Sequence, residues 1–445
     1  LENISRQFIW SFLHSHPHYN SEQVSQRYVA VKPDAVAVPP LEGEALAIYQ
    51  QTIEFQMETY KKLTDLLMPV VTSEHLRLFR HQDPEEKKLK AKLLKRALEV
   101  ARYVLPLATL AYMYHTVSGI TLLRYYKLCL QYDAPFEQQI VVKKMVDELL
   151  RLDPLYEMVL EEPLDLEYTP EARFFESRPE LDSLQYRSQF LKEFDNSLDG
   201  KVSKLVDYKI NNEKVLADSV REVLGLTCAS LNDDDAISLV LDPAENLLLG
   251  QSLNLTMMSK LTRVMHHPSY TFRRKISHTA DSQDQRHRMT PGSRPMLLAH
   301  LTDEPDYIIP KLILVDDASL RVYNEAMERI WQAISRLRKL GVEEEFLAYL
   351  LPNAVAVRFT ESADLLGLHH KHRMRLCYLA QEEIWQASVE EAEQIREVNP
   401  RIGKWLLPPC SQRWMAKTRP TCPEGDRFCG VTVWKLDISQ YKRVI

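Results

Sequence analysis

The sequence predicts a helix-rich α+β fold that repeats in tandem. Long stretches carry apolar residues at helical spacing, and one stretch, residues 269–280, alternates as a strand does. The same landmarks also recur in the same order in both halves of the chain. Between the halves, residues 166–205 are acidic, punctuated by proline and non-periodic, which is typical of a connector, although part of it could form a surface helix. We therefore expect two repeats, at 1–165 and 206–445.

Composition is that of an ordinary globular protein with room for two or three domains. The chain has 445 residues, of which 45% are hydrophobic and 27% charged. Its net charge of -6 gives no reason to expect nucleic-acid binding, and no apolar run has the length that spans a bilayer. No basic leader opens the sequence, and six cysteines are too few for a disulfide scaffold. We expect a cytoplasmic protein that binds neither nucleic acid nor membrane.

Helical periodicity accounts for the predicted elements of the first repeat. Apolar residues recur on one face over 43–67 and again over 136–154. A third periodic stretch covers 94–130, with a break expected near Pro106 because proline cannot donate to the helical ladder.

The second repeat opens with new amphipathic helices from about residue 206. Further on, clear helices are predicted at 316–342 and 381–398. Asp317 or Ser319 is the expected N-cap of the 316–342 helix, and Gly341 is expected to end it.

Internal repetition is the most informative feature of the chain. Leu105-Pro106 is followed, 28 residues after its proline, by Ala134-Pro135-Phe136-Glu137, and Leu351-Pro352 is followed at the same distance by Ala380-Gln381-Glu382-Glu383. Each Leu-Pro pair is preceded by a long amphipathic helix and, further upstream, by a His-containing stretch. Shared helical periodicity would produce some of this agreement by chance, but four landmarks in one order favour a diverged duplication.

The ordered motifs resemble those of the flavin-dependent thymidylate synthases. That family carries R-H-R followed by seven residues and S-x-R-Y, then AR-x-x-LP, a second helix with an arginine, and AQxEI. The second half of this chain has QDQRHR, an LP pair, a helix arginine and AQEEI, whereas the first half has SQRY, ARYVLP and APFE. In the second half these motifs are at 283–288, 351–352, Arg375 and 380–384. In the first half they are at 25–28, 101–106 and 134–137.

The resemblance implies the family's fold and its reaction. In that reaction deoxyuridylate (dUMP) is reductively methylated to dTMP; methylenetetrahydrofolate supplies the one-carbon unit, reduced FAD the hydride, and NADPH regenerates the flavin. The expected partners are therefore dUMP and folate. Two alternatives remain open: the same fold acting on another pyrimidine nucleotide or in other one-carbon chemistry, and a non-catalytic nucleotide-binding paralogue.

Each half has lost what the other retains. The first half has Ser15-His16-Pro17 at the R-H-R position, and the second half lacks S-x-R-Y. Arg102 of the first half has Ala348 as its counterpart, and Arg375 of the second half has Cys129. Because the family's sites lie between subunits, we expect one hybrid site between the repeats and a homodimer that mimics the family's tetramer. The alternative is that both halves are drifting relics.

The resemblance assigns dUMP to residues from both halves. Arginine forks suit a phosphate dianion, and a glutamine amide can both donate to and accept from a uracil edge. The expected substrate-binding residues are Arg27, Arg102, Arg375, Gln283 and Gln23. For the arginines the alternative is a surface residue or a helix-surface ion pair.

Catalysis and flavin binding are assigned to the R-H-R stretch and its surroundings. Arg286 would polarise the pyrimidine, and Ser25 would donate to the substrate. The expected cofactor-binding residues are Arg286, His287, Arg288, His267, Ser269 and His370. The family's Asn and Arg after the LP element are replaced by Ser118 and Ile120 in the first half and by Asp364 and Leu366 in the second, which predicts a weakened or altered flavin site.

The cysteines of the C-terminal tail raise a separate hypothesis. Cys410, Cys422 and Cys429, with Cys377 as a fourth ligand, would supply the thiolates of a structural zinc site. Their spacing lacks the C-x2-C of typical zinc ribbons, so free thiols are the alternative.

Overall fold

The computed structural model describes residues 1–14, 20–27, 30–79, 86–130, 135–252 and 258–443. The helices are α1 Arg6–His14, α2 Gly43–Leu78, α3 Lys87–Ala101, α4 Gly119–Lys127, α5 Pro135–Leu152, α6 Pro170–Ser177, α7 Leu184–Ser197, α8 Asn212–Leu224, α9 Asp233–Leu241, α10 His278–Asp284, α11 Leu297–His300, α12 Lys311–Leu314, α13 Asp317–Lys339, α14 Glu344–Leu347, α15 Leu365–Arg375, α16 Glu382–Val398, α17 Pro400–Gly403 and α18 Pro409–Met415. The strands are β1 Ile4–Ser5, β2 Asn20–Gln23, β3 Leu110–Ala111, β4 Met113–Thr116, β5 Ser203–Tyr208, β6 Ser269–Ser277, β7 Gly292–Ser293 and β8 Ala356–Asp364.

The strands form antiparallel sheets of modest size within a helix-rich chain, as the predicted α+β class requires. The largest has the order β5-β6-β8-β7, and β6 pairs with β8 along its whole length, from Ser269 opposite Asp364 to Ser277 opposite Ala356. In the first half β1 pairs with β3 and β2 with β4. The strand predicted at 269–280 is confirmed as far as Ser277, after which the chain enters α10.

Two long helices, α2 and α13, pack against each other and contribute to the same hydrophobic core. Each buries one stripe at helical spacing: Met57, Tyr60 and Leu67 on α2, and Met327 and Ile334 on α13. Full burial of each such side chain stabilises the fold by roughly 1.5–3 kcal/mol. Helices predicted at 43–67, 136–154, 316–342 and 381–398 are confirmed for this reason.

The predicted helix at 94–130 is wrong across its middle. After Ala101 the chain leaves α3, forms β3 and β4, and becomes helical again only at Gly119. The apolar residues of this segment are buried because its backbone pairs with distant segments of the chain. Helical periodicity does not distinguish this burial from burial on a helix face. The expected N-caps Asp317 and Ser319 are also wrong, because Asp316 caps α13 by accepting a bond from the Ser319 amide at 2.7 Å.

The two Leu-Pro segments are hydrogen-bonded to each other in a reciprocal pattern. The Leu107 amide donates to the Leu351 carbonyl at 2.9 Å, and the Asn353 amide donates to the Leu105 carbonyl at 2.8 Å. A bridge joins Pro106 to Pro352 at the centre of this pattern. The segments therefore meet around a local two-fold axis.

The region between the halves is partly helical. α6 is largely exposed, and α7 is tied to the sheet by Asp195, which accepts from Arg358 Nε and from Lys275 Nζ, both at 2.7 Å. β5 begins at Ser203, inside the predicted connector. Within the described ranges, none of the helices combines the length and apolar content needed to cross a bilayer.

Candidate functional site

A cavity of about 1040 Å³ opens between α3, α15 and the segment that follows α17. Among the described lining residues nine side chains are cationic and four are carboxylates. Helix α3 of the first half contributes Lys88, Lys92, Lys95 and Arg96, while α15 of the second half contributes Arg375. This excess of positive charge in a concave site favours an anionic ligand.

Arg27 connects the two halves at this cavity. Its Nη2 donates to the Leu379 carbonyl at 3.0 Å, and its Nη1 donates to Gln283 Oε1 at 3.4 Å. It also forms an ion pair with Glu99 of α3 at 3.1 Å. Burial alone would raise the pKa of Glu99, but Arg27, Arg96 and the other nearby arginines lower it, so the carboxylate stays ionised.

Arg102 lies behind the cavity wall, at the end of α3, and reaches the second half through Gln381. Its Nη2 donates to Gln381 Oε1 at 3.1 Å, and Gln283 Nε2 donates to the same oxygen. Gln381 in turn donates to the Tyr103 hydroxyl at 2.5 Å. Gln381 therefore connects the AR-x-x-LP element to the QDQRHR stretch by hydrogen bonds. Burial, with further repulsion from Arg27, lowers the pKa of Arg102 to about 10.

Arg375 holds His287, the middle residue of R-H-R, in one protonation state. Arg375 Nε donates to His287 Nε2 at 2.8 Å, and its Nη2 donates to the Gln283 carbonyl at 2.9 Å. Because a guanidinium only donates, Nε2 must accept, and the imidazole is neutral with its proton on Nδ1. Burial and the charge of Arg375 hold the pKa of His287 well below its ordinary value. Of the three adjacent residues of R-H-R, only the two arginines therefore carry a charge.

Arg286 and Arg288 are exposed on either side of His287, which is half-buried. Arg286 lies within electrostatic reach of both Arg375 and Arg6, since its charge lowers the pKa of each. Arg102 acts on Arg6 in the same way. Residues predicted from opposite halves thus converge on one cluster.

Arg6 was missed in the sequence. It is buried, and its Nη1 donates to Gln23 Oε1 at 2.8 Å while its Nη2 donates to the Val24 carbonyl at 2.7 Å. Burial, Arg102 and Arg286 lower its pKa to about 9. The available signal was an arginine at the start of a segment that carries five large apolar side chains, because an arginine in such a segment is buried only where it has polar partners.

Ser25 and Gln23 lie beside the cluster. The Ser25 hydroxyl accepts from the Arg27 amide at 3.3 Å. Gln23 contacts the cluster through Arg6. The predicted substrate-binding residues and Ser25 are thus brought into one connected group, while their roles in binding stay predictions.

The predicted flavin residues fall into two places. His370 lines the cavity, and its ring centroid is 5.8 Å from that of His287. His267 is exposed with its carbonyl accepting from Lys209 Nζ at 2.9 Å, and Ser269 lies opposite Asp364 at the other end of α15. The described contacts of His267 and Ser269 are therefore with the edge of the sheet rather than with the arginine cluster.

The positions where the family has an Asn near the helix start hold helix caps here. The Ser118 hydroxyl accepts from the Thr121 amide at 3.2 Å at the start of α4. The Asp364 carboxylate accepts from the Gly367 amide at 2.7 Å at the start of α15, and it also binds His266 Nδ1 at 2.6 Å. Both side chains are committed to the local backbone.

The predicted zinc site is wrong. The four cysteines, Cys377, Cys410, Cys422 and Cys429, are free thiols around one narrow cavity. No group of three or more His, Cys, Asp or Glu residues within the described ranges could hold a metal ion. Burial raises the pKa of Cys377 to about 11 and that of Cys410 to about 12. The first-half residues Ser15, His16, Pro17, Tyr28 and Ala134 lie outside the described residues.

Comparison with known proteins gives a consistent family. The sequence model of the family described as thymidylate synthase complementing protein matches residues 1–155 and 204–401. A flavin-dependent thymidylate synthase of Clostridium tetani is 25% identical over 245 residues, which are 51% of this chain and 92% of that protein. Proteins of the same description from Saccharolobus solfataricus (29% over 151 residues, 33% and 57%) and Pyrococcus abyssi (28% over 172 residues, 36% and 70%) are also similar. The matched ranges leave out most of the connector and the C-terminal tail.

Proposed function

The chain belongs to the thymidylate synthase complementing protein family, and from this premise we propose that it is a flavin-dependent thymidylate synthase-like enzyme with one hybrid site. Its reaction is the reductive methylation of dUMP to dTMP. The observation that carries the proposal is the hydrogen-bonded group in which Gln381 accepts from Arg102 of one half and from Gln283 of the other. A site assembled in this way needs both halves.

The arginines of the group bind the phosphate and ribose of dUMP. Arg27 and Arg375 line the cavity, and Arg102 is connected to them through Gln381 and Gln283. Each charge-assisted bond contributes roughly 1.5–3 kcal/mol. Gln283 offers its amide to the uracil, and Ser25, next to Arg27, donates to the substrate.

The basic wall also fits an anionic cofactor. When bound, FAD supplies hydride to the one-carbon unit that methylenetetrahydrofolate delivers, and NADPH restores the flavin. His370, which lines the cavity, and the exposed Arg286 and Arg288 would hold the cofactor, while the neutral His287 fixes the stretch through Arg375. His267 and Ser269 lie near the N-terminal end of α15, so they would contact the cofactor only from that end. In accordance with this arrangement, the arginines stabilise negative charge that develops on the pyrimidine oxygens.

The tandem origin of the fold is part of the proposal. It is supported by the reciprocal bonds of the Leu-Pro segments and by the caps Ser118 and Asp364, which occupy corresponding places after them. A homodimer in the cytoplasm would then contain four repeats. Light scattering at micromolar concentration tests this: a monomer would contradict the expected dimer.

Mutation of one arginine in each half tests the hybrid site. Arg27→Ala and Arg286→Ala are each expected to weaken dUMP binding, measured by calorimetry, by roughly 10- to 100-fold. Arg321→Ala, an exposed residue of α13 away from the cavity, is the control and should leave the affinity unchanged. If only one of the two site variants weakens binding, the two halves do not share the site.

A non-catalytic nucleotide-binding protein is the second candidate, because Ser118 and Asp364 are used as helix caps where the family has cofactor-side residues. Purified enzyme should be yellow, with flavin close to stoichiometric. A colourless protein that binds dUMP and cannot be reconstituted with FAD would favour the second candidate. Comparison of dUMP with dCMP affinity tests whether another pyrimidine is preferred.

A further inference from the structure

Two buried arginines, Arg373 of α15 and Arg413 of α18, line the same cavity without an acidic partner. They are only 7% and 5% exposed. Arg413 Nη1 donates to the Gly250 carbonyl and its Nε to the Pro420 carbonyl, both at 2.8 Å, and Arg373 Nη2 donates to the Gln251 carbonyl. Within the described residues neither forms an ion pair.

Of the four carboxylates that line the cavity, Glu86 and Asp426 are exposed, and the two less exposed ones are already paired. Glu99 binds Arg27 and Arg96, and Glu424 binds Arg427. Burial lowers the pKa of Arg373, and the neighbouring charge of Arg413 lowers it further. Two like charges held together in a buried place are unfavourable unless an anion joins them.

Both side chains keep donors free for a ligand. Arg373 Nε and Nη1 and Arg413 Nη2 have no protein partner within the described part of the chain, yet they are not occluded. The carbonyls of Gly250 and Gln251 orient the two guanidinium groups toward the cavity they line. Such preoriented forks are typical of phosphate recognition.

The pair is separate from the arginines assigned to dUMP. Arg413 lies on α18, beyond the last residue that the family's sequence model matches. The end of α18 packs closely against Gly250, since a Cβ atom added to Gly250 would lie 2.6 Å from the Cβ atom of Ala416. At about 1040 Å³ the cavity is at the upper end of the range for small-molecule sites, which leaves room beyond a mononucleotide.

We propose that Arg373 and Arg413 form a second anion subsite, which takes the diphosphate bridge of a dinucleotide. The assignment to a dinucleotide rests on the proposed function, since FAD and NADPH both carry this group. The subsite itself rests on the two arginines alone.

Inorganic pyrophosphate is the direct probe. Calorimetry on the full chain is expected to show pyrophosphate binding that Arg413→Gln and Arg373→Gln each weaken about tenfold or more. Arg427→Gln, an exposed lining residue, is the control and should change the affinity less than about twofold. Circular dichroism checks the fold, and Arg373→Gln, which loses a single backbone bond, serves if Arg413→Gln fails to fold. Unchanged affinity in both variants, or no binding to the parent chain, overturns the subsite.

Further arms identify the source of the diphosphate and separate this proposal from the enzymatic one. Weaker FAD binding with riboflavin unchanged assigns the subsite to the flavin, whereas weaker NADPH binding assigns it to the nicotinamide cofactor. If neither dinucleotide is weakened, the dinucleotide assignment fails. dUMP affinity should fall in Arg27→Ala and persist in Arg413→Gln. A parent chain that binds pyrophosphate but not dUMP contradicts the proposed enzyme and leaves the subsite standing.

Discussion

At the scale of single residues, one pair of positions related by the offset between the Leu-Pro segments holds a buried charge in the second half and an aromatic ring in the first half. In the second half Lys371 is fully buried and forms ion pairs with Glu361 and, at 3.3 Å, with Asp284. In the first half the corresponding place, by the offset that relates the Leu-Pro segments, holds Tyr125, whose ring centroid is 4.8 Å from that of Phe12. A buried ionic group is stable only when each of its charges is paired. A buried aromatic ring is stable when its neighbours pack closely around it.

Removing one buried charge therefore costs more than removing one hydroxyl. Lys371→Met leaves Glu361 and Asp284 without their lysine, and we expect the free energy of unfolding in urea to fall by about 3–5 kcal/mol. Tyr125→Phe loses one bond to Gln138, which is 2.8 Å long, and should cost about 1 kcal/mol. Equal losses in the two variants would show that the ionic cluster is not needed for stability.

At the scale of elements, paired tyrosines connect the halves. Tyr103 donates to Glu383 of α16 at 2.6 Å, and Tyr349 donates to Glu137 of α5 at 2.5 Å. Each glutamate also accepts from a serine at the start of a helix in its own half, as Glu137 does from the Ser5 hydroxyl at 2.6 Å. The two interactions therefore hold α5 and α16 to the opposite half in the same way.

Only one of these tyrosines supports the candidate site. Tyr103→Phe and Tyr349→Phe should each lower the free energy of unfolding by about 1.5–3 kcal/mol, because each removes a bond to a carboxylate, buried in Glu383 and half-buried in Glu137. Since Gln381 donates to the Tyr103 hydroxyl, Tyr103→Phe should also weaken dUMP binding, while Tyr349→Phe should not. Calorimetry and urea unfolding on the same preparations separate the two effects, and parallel changes in dUMP affinity would contradict the role of Gln381.

At the scale of the whole molecule, buried neutral histidines make stability depend on pH. Burial lowers the pKa of His14 and His300 to about 4 and that of His278 and His369 to about 3. Below about pH 6.5 the unfolded chain takes up protons that the folded chain refuses. Folding stability is therefore lost as the pH falls, down to the folded pKa values.

Urea unfolding between pH 7.5 and pH 5 measures this dependence. Each such histidine should lower the free energy of unfolding by about 1.4 kcal/mol per pH unit below about 6.5. His300→Gln, remote from the arginine cluster, should make the slope shallower by one histidine's share. A flat profile, or a slope unchanged by that substitution, would contradict neutral burial.

Local pattern was enough for much of the fold. Apolar spacing predicts α2, α5, α13 and α16, since each buries one continuous face, and alternation predicts β6, whose side chains alternate between core and surface. The same pattern failed between Ala101 and Gly119, where apolar residues are buried by pairing with distant backbone. Periodicity records that a residue is buried but not what buries it.

The residue types of the candidate site were determined by the sequence, and their assembly by the tertiary structure. The order of motifs marked Arg27, Arg102 and Arg375 as arginines of one kind of site. Only the fold shows that Gln381 joins them and that Arg6 is buried among them. The physical reason is that hydrogen bonds and charge interactions depend on distance in space. Partners separated by more than 250 residues leave no periodic trace in the chain.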